Sequence, residues 1–215
     1  MKEVLIYTRF ERFWHWSQAS LIMFLAVTGF EVHGSFEMFG FEKAVMFHRA
    51  ASYALLGLIV FAIFWHLTTG QWRQYFPTTK NLFAQIRYYM FGMFKGEDHP
   101  THKTEISKLN PLQRLVYIQF KLILIPIVVI SGIFYLFNKS IDKNNIIVIS
   151  EFKLETIADW HVQGAFLLIV FLIIHVYMTT TGTSITSNIK AMITGLEELE
   201  SENKNDKKGE AKNEG

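Results

Sequence analysis

The sequence contains no cysteine. That excludes disulfides, thiolate zinc sites, iron–sulfur clusters ligated by this chain, and thioether-linked haem, which needs C-x-x-C-H. Charge is also sparse: only 19% of the 215 residues are charged, and they balance to a net +2. A chain so near neutrality carries no electrostatic footprint for nucleic acid. No carboxylate falls well inside an apolar stretch, which argues against a proton relay of the Asp/Glu type. Chemistry is left to histidine, methionine, peripheral carboxylates and bound cofactors.

What the chain does have is hydrocarbon. Half of its residues are hydrophobic, 20 of them Phe, and the mean hydropathy is +0.20. The apolar residues come in blocks rather than stripes. Blocks of about 20 residues match a bilayer core of about 30 Å crossed by a helix rising about 1.5 Å per residue. Four such spans are predicted, at about 13–32, 47–69, 115–137 and 160–182. The first includes Ser17, Gln18, Ser20 and Thr28, which suits a helix facing protein more than lipid. Arg9 and Arg12 precede it, but Trp14-His15-Trp16 is a poor opening for a signal peptide and no clean cleavage site follows, so the span is expected to be retained.

Basic residues set the expected orientation. Lys2, Arg9 and Arg12 lie at the N-terminus. The loop between spans two and three carries Arg73, Lys80, Arg87, Lys95, Lys103, Lys108 and Arg114. The loop over 31–46 instead holds Glu31, Glu37 and Glu42 against Lys43. Both termini are therefore expected in the cytoplasm. Within the middle loop, residues 80–95 interleave Leu82, Phe83, Ile86, Tyr89, Met90 and Phe94 with Lys80, Arg87 and Lys95. That pattern suits a helix in the membrane interface, and equally a lid packed on the bundle. Residues 200–215 are charged, lack aromatics and read as a disordered tail. The expected architecture is an all-α membrane protein, a four-transmembrane-helix bundle over 1–199, with no internal repeat and no second soluble domain.

Eight histidines are present, and five fall in or beside the spans: His15, His48, His66, His161 and His175. A single one reads most simply as a structural histidine bonded to a carbonyl, but the set has a pattern. His161 and His175 share one helix face and stand about 21 Å apart along the axis. That is too far for one metal ion and suits two sites stacked across the bilayer. His48 lies at the level of His161, and His15 at the level of His175. Two imidazoles on a flat macrocycle between helices is how b-type haem is held in a bundle. Zinc would need three or four ligands converging on one point. His66, about 27 Å from His48 on the same face, competes with His15 by depth alone, as a ligand, a proton-handling or quinone-contacting group, or an interfacial histidine. Arg12 and Arg49 are candidate contacts for haem propionates. His33, His99 and His102 are placed at the surface, Lys121 is expected to snorkel to the interface, and Pro126 to kink span three.

Several of these residues together resemble the membrane-bound dihaem cytochrome b subunits of respiratory nickel–iron hydrogenase, formate dehydrogenase and thiosulfate reductase complexes. They are Arg12…His15-Trp16, Thr28-Gly29, His48, the run Lys108-Leu109-Asn110-Pro111-Leu112-Gln113-Arg114, and His161 with His175. The resemblance covers about residues 5 to 195. It implies two haem b groups, one held by His48 and His161 and the other by His15 and His175, which favours His15 over His66. It further implies a bacterial cytoplasmic-membrane location, iron–sulfur and catalytic partner subunits, and quinone as substrate. Asn110 would contribute to the quinone site, with Gln113 and His66 as neighbours. A stand-alone cytochrome b561-type quinone oxidoreductase is the alternative. The middle loop is longer and more aromatic than such a resemblance leads one to expect.

Overall fold

A computed structural model of the chain describes residues 2–97, 100, 108–143, 153–182 and 184–199. His99, His102 and the 200–215 tail lie outside these. A short strand β1 (Lys2–Leu5) leads into helix α1 (Arg9–Val32), and α2 (Phe41–Thr69) follows. After a 3-10 turn at Gln71–Tyr75 comes α3 (Leu82–Arg87), which continues as a π-turn over Tyr88–Gly92 and a 3-10 turn over Met93–Lys95. Helix α4 (Pro111–Gln119) runs through a π-turn at Phe120–Leu124 into α5 (Ile125–Lys143). Then come α6 (Leu154–Thr179), α7 (Ser187–Thr194) and strand β2 (Leu196–Leu199).

Among the described residues, three helical stretches are long and apolar enough to cross a membrane: Phe41–Thr69, Pro111–Phe137 and Leu154–Thr179. Helix α1, at 24 residues, would extend about 36 Å, but it is more polar. The helices reach further than their apolar cores suggest, because capping residues extend them. Asn110 caps α4 through a reciprocal box with Gln113 (2.8 and 3.0 Å), with Pro111 at the first helical position. Thr8 and Glu11 do the same for α1.

Helix α2 turns a stripe of mostly small residues inward: Ala44, Ala51, Leu55 and Ala62 are buried, and buried His66 continues the row. Without a hydrophobic drive between helices in lipid, such small side chains let backbones approach and gain packing energy. Accordingly α1 lies close along α2, and α5 lies close along α6, where a Cβ on Gly164 would come within 2.7 Å of Val128 Cγ2. The backbone of α6, by contrast, stands off from α1 and α2. The two helix pairs meet through rings, such as Phe30 against Phe166 at 5.2 Å.

Both ends of the bundle are tied. At one end β1 pairs antiparallel with β2, Lys2 opposite Leu199 and Leu5 opposite Leu196, so residues 2–5 and 196–199 sit together. We call this end proximal. There Arg12 Nη1 donates to the Ile193 carbonyl (2.5 Å) and Trp16 Nε1 to that of Met192 (3.1 Å), fastening α7 across the start of α1. At the distal end Glu31 closes the α1–α2 turn. Its Oε1 accepts from the backbone N–H groups of Met38, Phe39 and Gly40 at 2.9, 2.6 and 2.7 Å.

The 80–95 segment forms a broken helix with two different faces. Gln85 is fully buried and the Tyr89 hydroxyl meets the Asn110 amide at 3.1 Å, whereas Phe83, Met90 and Phe91 are exposed. Lys121 extends toward the proximal end, where two aromatic rings receive it. Its Nζ lies 3.2 Å from the Tyr75 ring centre and 5.2 Å from that of Trp14, because the π-turn carrying it sets the side chain among aromatic faces that stabilise a cation.

Candidate haem sites

Four of the five span histidines meet in two pairs. At the distal end the rings of His48, from α2, and His161, from α6, have centres 6.2 Å apart, with planes crossing at 80°. At the proximal end His15, from α1, and His175, from α6, are also 6.2 Å apart, at 47°. Helix α6 thus supplies one imidazole to each pair, as its 14-residue spacing predicts. His66 stays out of both. Its Nδ1–H donates to the Ala62 carbonyl one turn back (2.7 Å), its Nε2 faces the Tyr75 hydroxyl at 3.5 Å, and its ring abuts Trp14 at 5.1 Å. Burial pushes the Tyr75 hydroxyl well above its ordinary range, so that hydroxyl stays protonated towards His66.

The separations can be tested against a shared metal ion. With metal–nitrogen bonds of about 2.0 Å and ring centres about 1.1 Å further back, two imidazoles in line on one ion have centres about 6.2 Å apart. Both pairs match this. The stand-off of α6 from α1 and α2 gives a planar macrocycle a place between the helices. Rings so held turn freely about the metal axis, so both interplanar angles are compatible.

The distal pair also carries the right protons. The Thr28 hydroxyl, which donates to the Phe24 carbonyl (2.9 Å), lies 3.1 Å from His48 Nδ1, and the His48 ring also bonds to the Leu25 backbone carbonyl. The Ser131 hydroxyl likewise donates to Ile127 (2.5 Å) and accepts from His161 Nδ1 (3.2 Å), which also lies 3.0 Å from the Val128 carbonyl. A carbonyl cannot donate, so Nδ1 bears the proton in each ring and Nε2 keeps its lone pair for a metal. The glycine after each hydroxyl makes room. A Cβ on Gly29 would lie 3.1 Å from His48 Cε1, and one on Gly132 would lie 2.9 Å from His161 Cε1. Thr28-Gly29 and Ser131-Gly132 thus play one part on opposite helices. The second went unread in the sequence, since a Ser-Gly in an apolar helix reads as ordinary small-residue packing.

At the proximal pair, His175 Nδ1 lies 3.4 Å from the Tyr117 hydroxyl and its ring stacks on Phe171 (5.8 Å, 11°). His15 Nδ1 is buried with no hydrogen-bond partner among the described residues. Nearby, Lys108 Nζ contacts both Glu11 oxygens at 2.8 and 3.0 Å, with side chains only 12% and 10% exposed. Arg12 keeps a buried Nε without a partner among the described residues. Arg49 is exposed at the distal end, beside Glu42, Met46 and Tyr53. Asn110 and Gln113 spend their side chains on the α4 cap and on Tyr89. His33 is exposed, 3.4 Å from Ser35 Oγ.

A helical membrane protein holding paired imidazoles in an apolar bundle belongs to the class of membrane cytochromes b. The chain belongs to the family described as prokaryotic cytochrome b561, whose profile matches residues 6–195. It is 27% identical to "Putative cytochrome YdhU" of Escherichia coli (strain K12), over 90% of this chain and 74% of that protein. No solved structure matches the chain. Family membership implies haem b binding and electron transfer.

Proposed function

We propose that this protein is a dihaem b-type membrane subunit that passes electrons between an iron–sulfur or catalytic partner and the quinone pool. In this reading residues 1–199 form one four-span domain in a bacterial cytoplasmic membrane, α1 being the fourth span and both termini cytoplasmic. The observation that carries it is the pair of 6.2 Å imidazole contacts at opposite ends of the bundle. His48 and His161 would hold one haem, His15 and His175 the other. Bound haem supplies one-electron redox chemistry; the chain supplies axial nitrogens, a dry enclosure and local charge.

Quinone reduction takes up protons together with electrons, which calls for polar groups at one membrane face. The proximal end offers them in Glu11, Lys108, Asn110, Gln113, Tyr89 and His66, and we place the quinone there. Arg12, with its free Nε, is the propionate partner we assign to the proximal haem; Arg49 is its distal counterpart. A stand-alone cytochrome b561-type oxidoreductase is equally consistent with the family match, and the two differ in what co-purifies.

The test is haem quantitation with redox difference spectra on the full chain purified from haem-replete membranes. Two haems per chain are expected, falling to one in His48→Ala, His161→Ala, His15→Ala or His175→Ala. Absence of haem, or a parent with only one haem that each of the four variants loses entirely, refutes the two-site arrangement. A stoichiometric iron–sulfur partner in gentle detergent supports the subunit; its consistent absence supports the stand-alone oxidoreductase.

A further inference from the structure

The two imidazole pairs differ in what stands behind them. At the distal pair both Nδ1–H groups have firm acceptors: Thr28 Oγ1 at 3.1 Å for His48, and Val128 O at 3.0 Å with Ser131 Oγ at 3.2 Å for His161. A backbone carbonyl backs each ring as well, Leu25 for His48 and Val128 for His161, and a carbonyl can only accept. At the proximal pair, among the described residues, the only Nδ1 contact is the 3.4 Å one from His175 to Tyr117, and His15 Nδ1 is buried without a partner. An Nδ1–H that donates to oxygen pushes electron density into the ring and makes Nε2 the more basic ligand. A more basic ligand favours the ferric over the ferrous state, which lowers the midpoint potential.

We propose that Thr28 and Ser131 are positioning residues that set the distal haem at a lower potential than the proximal one, so that electrons run downhill from the distal to the proximal end. The inference rests on the dihaem reading above. It gives the short Thr-Gly and Ser-Gly pairs one purpose: the hydroxyl fixes the proton on Nδ1 and the glycine lets the ring come close enough for that bond. It also places the electron sink beside the polar residues of the proximal end, where a proton-coupled acceptor such as quinone would be reduced.

The experiment is a spectroelectrochemical titration of the purified holoprotein, with the distal wave identified as the one missing in His48→Ala and, independently, in His161→Ala. The distal wave is expected at the lower potential. Thr28→Val, which keeps the shape and removes the hydroxyl acceptor while the Leu25 carbonyl stays, should move that wave upward and leave the other in place. A tenfold loss of preference for the oxidised iron reads as about 59 mV in a one-electron couple. Thr28→Ser should restore the parent value, and Ser131→Ala should shift the wave in the same upward sense, the Val128 carbonyl remaining to His161. A distal wave above the proximal one overturns the proposal, as does a Thr28→Val midpoint that stays put or falls. Failure of the dihaem reading is separately visible, as a preparation with fewer than two waves in the parent.

Discussion

Replacing Gly132 by alanine sets two effects of opposite sign against each other. In a helix interior, alanine is favoured over glycine by about 0.8–1 kcal/mol, so the fold by itself should gain. The added Cβ, however, would stand 2.9 Å from His161 Cε1 and 3.3 Å from its Nδ1. Carbon atoms at rest sit about 3.5–4.0 Å apart, so the ring must retreat by roughly 0.6 Å or more. That retreat disturbs the 3.0 Å bond to Val128 and the 6.2 Å spacing to His48 together. Overpacking of this kind costs about 1–3 kcal/mol, which weakens haem binding at the distal site by roughly 5- to 150-fold. The assay is haem titration of the apoprotein, read by Soret absorbance, beside a thermal melt of the apoprotein in detergent. We expect an unchanged or higher Tm, with distal haem bound more weakly by that factor and proximal haem bound as in the parent. Gly29→Ala should act in the same sense but more weakly, its Cβ meeting His48 Cε1 at 3.1 Å. Gly57→Ala, where nothing lies within 4 Å of the new atom, is the control. A Gly132→Ala protein that binds distal haem as the parent does would refute the argument that this glycine exists to seat His161.

Three further outcomes are expected. His66→Ala should keep both haems, since its nitrogens are directed to Ala62 and Tyr75 rather than to another imidazole; a haem-to-protein ratio reduced by one would place His66 among the ligands. Lys108→Met should destabilise by about 3–5 kcal/mol by leaving Glu11 buried and unpaired, whereas Lys108→Met with Glu11→Leu should recover much of it; denaturant melts of the single and double variants decide this, and equal losses in both would show that the ion pair itself carries the stability. Gly164→Ala should lower the Tm, because its Cβ would press within 2.7 Å of Val128 Cγ2 and part α5 from α6; an unchanged melt would mean the helices have room to give.

How much of this was legible in the sequence depends on whether a feature lies along one helix or between two. The shared face of His161 and His175 follows from 3.6 residues per turn and needs no neighbour. The apolar blocks follow from the bilayer's thickness. For Lys121 the local pattern supports only the default of a lysine near a helix end, snorkelling to the interface, and says nothing of the rings it meets. What decided its position was a π-turn and two aromatic faces, Tyr75 from after α2 and Trp14 from α1. The partners Thr28 and Ser131 sit 20 and 30 residues from the histidines they contact, and no periodicity links them.

The sequence by itself determined that this is an apolar, cysteine-free, helical membrane chain, that two histidines of its last long helix point the same way at two depths, and that it belongs with the cytochromes b. Only the tertiary structure decided which side chain each histidine meets. His15 and His66 lie near the same depth, and the choice turns on the rotation and separation of whole helices. Those are set by the small-residue seam of α2, the Glu31 clamp on the distal turn and the terminal strand pair. Such restraints come from packing between segments far apart in the chain, and local pattern carries no record of them.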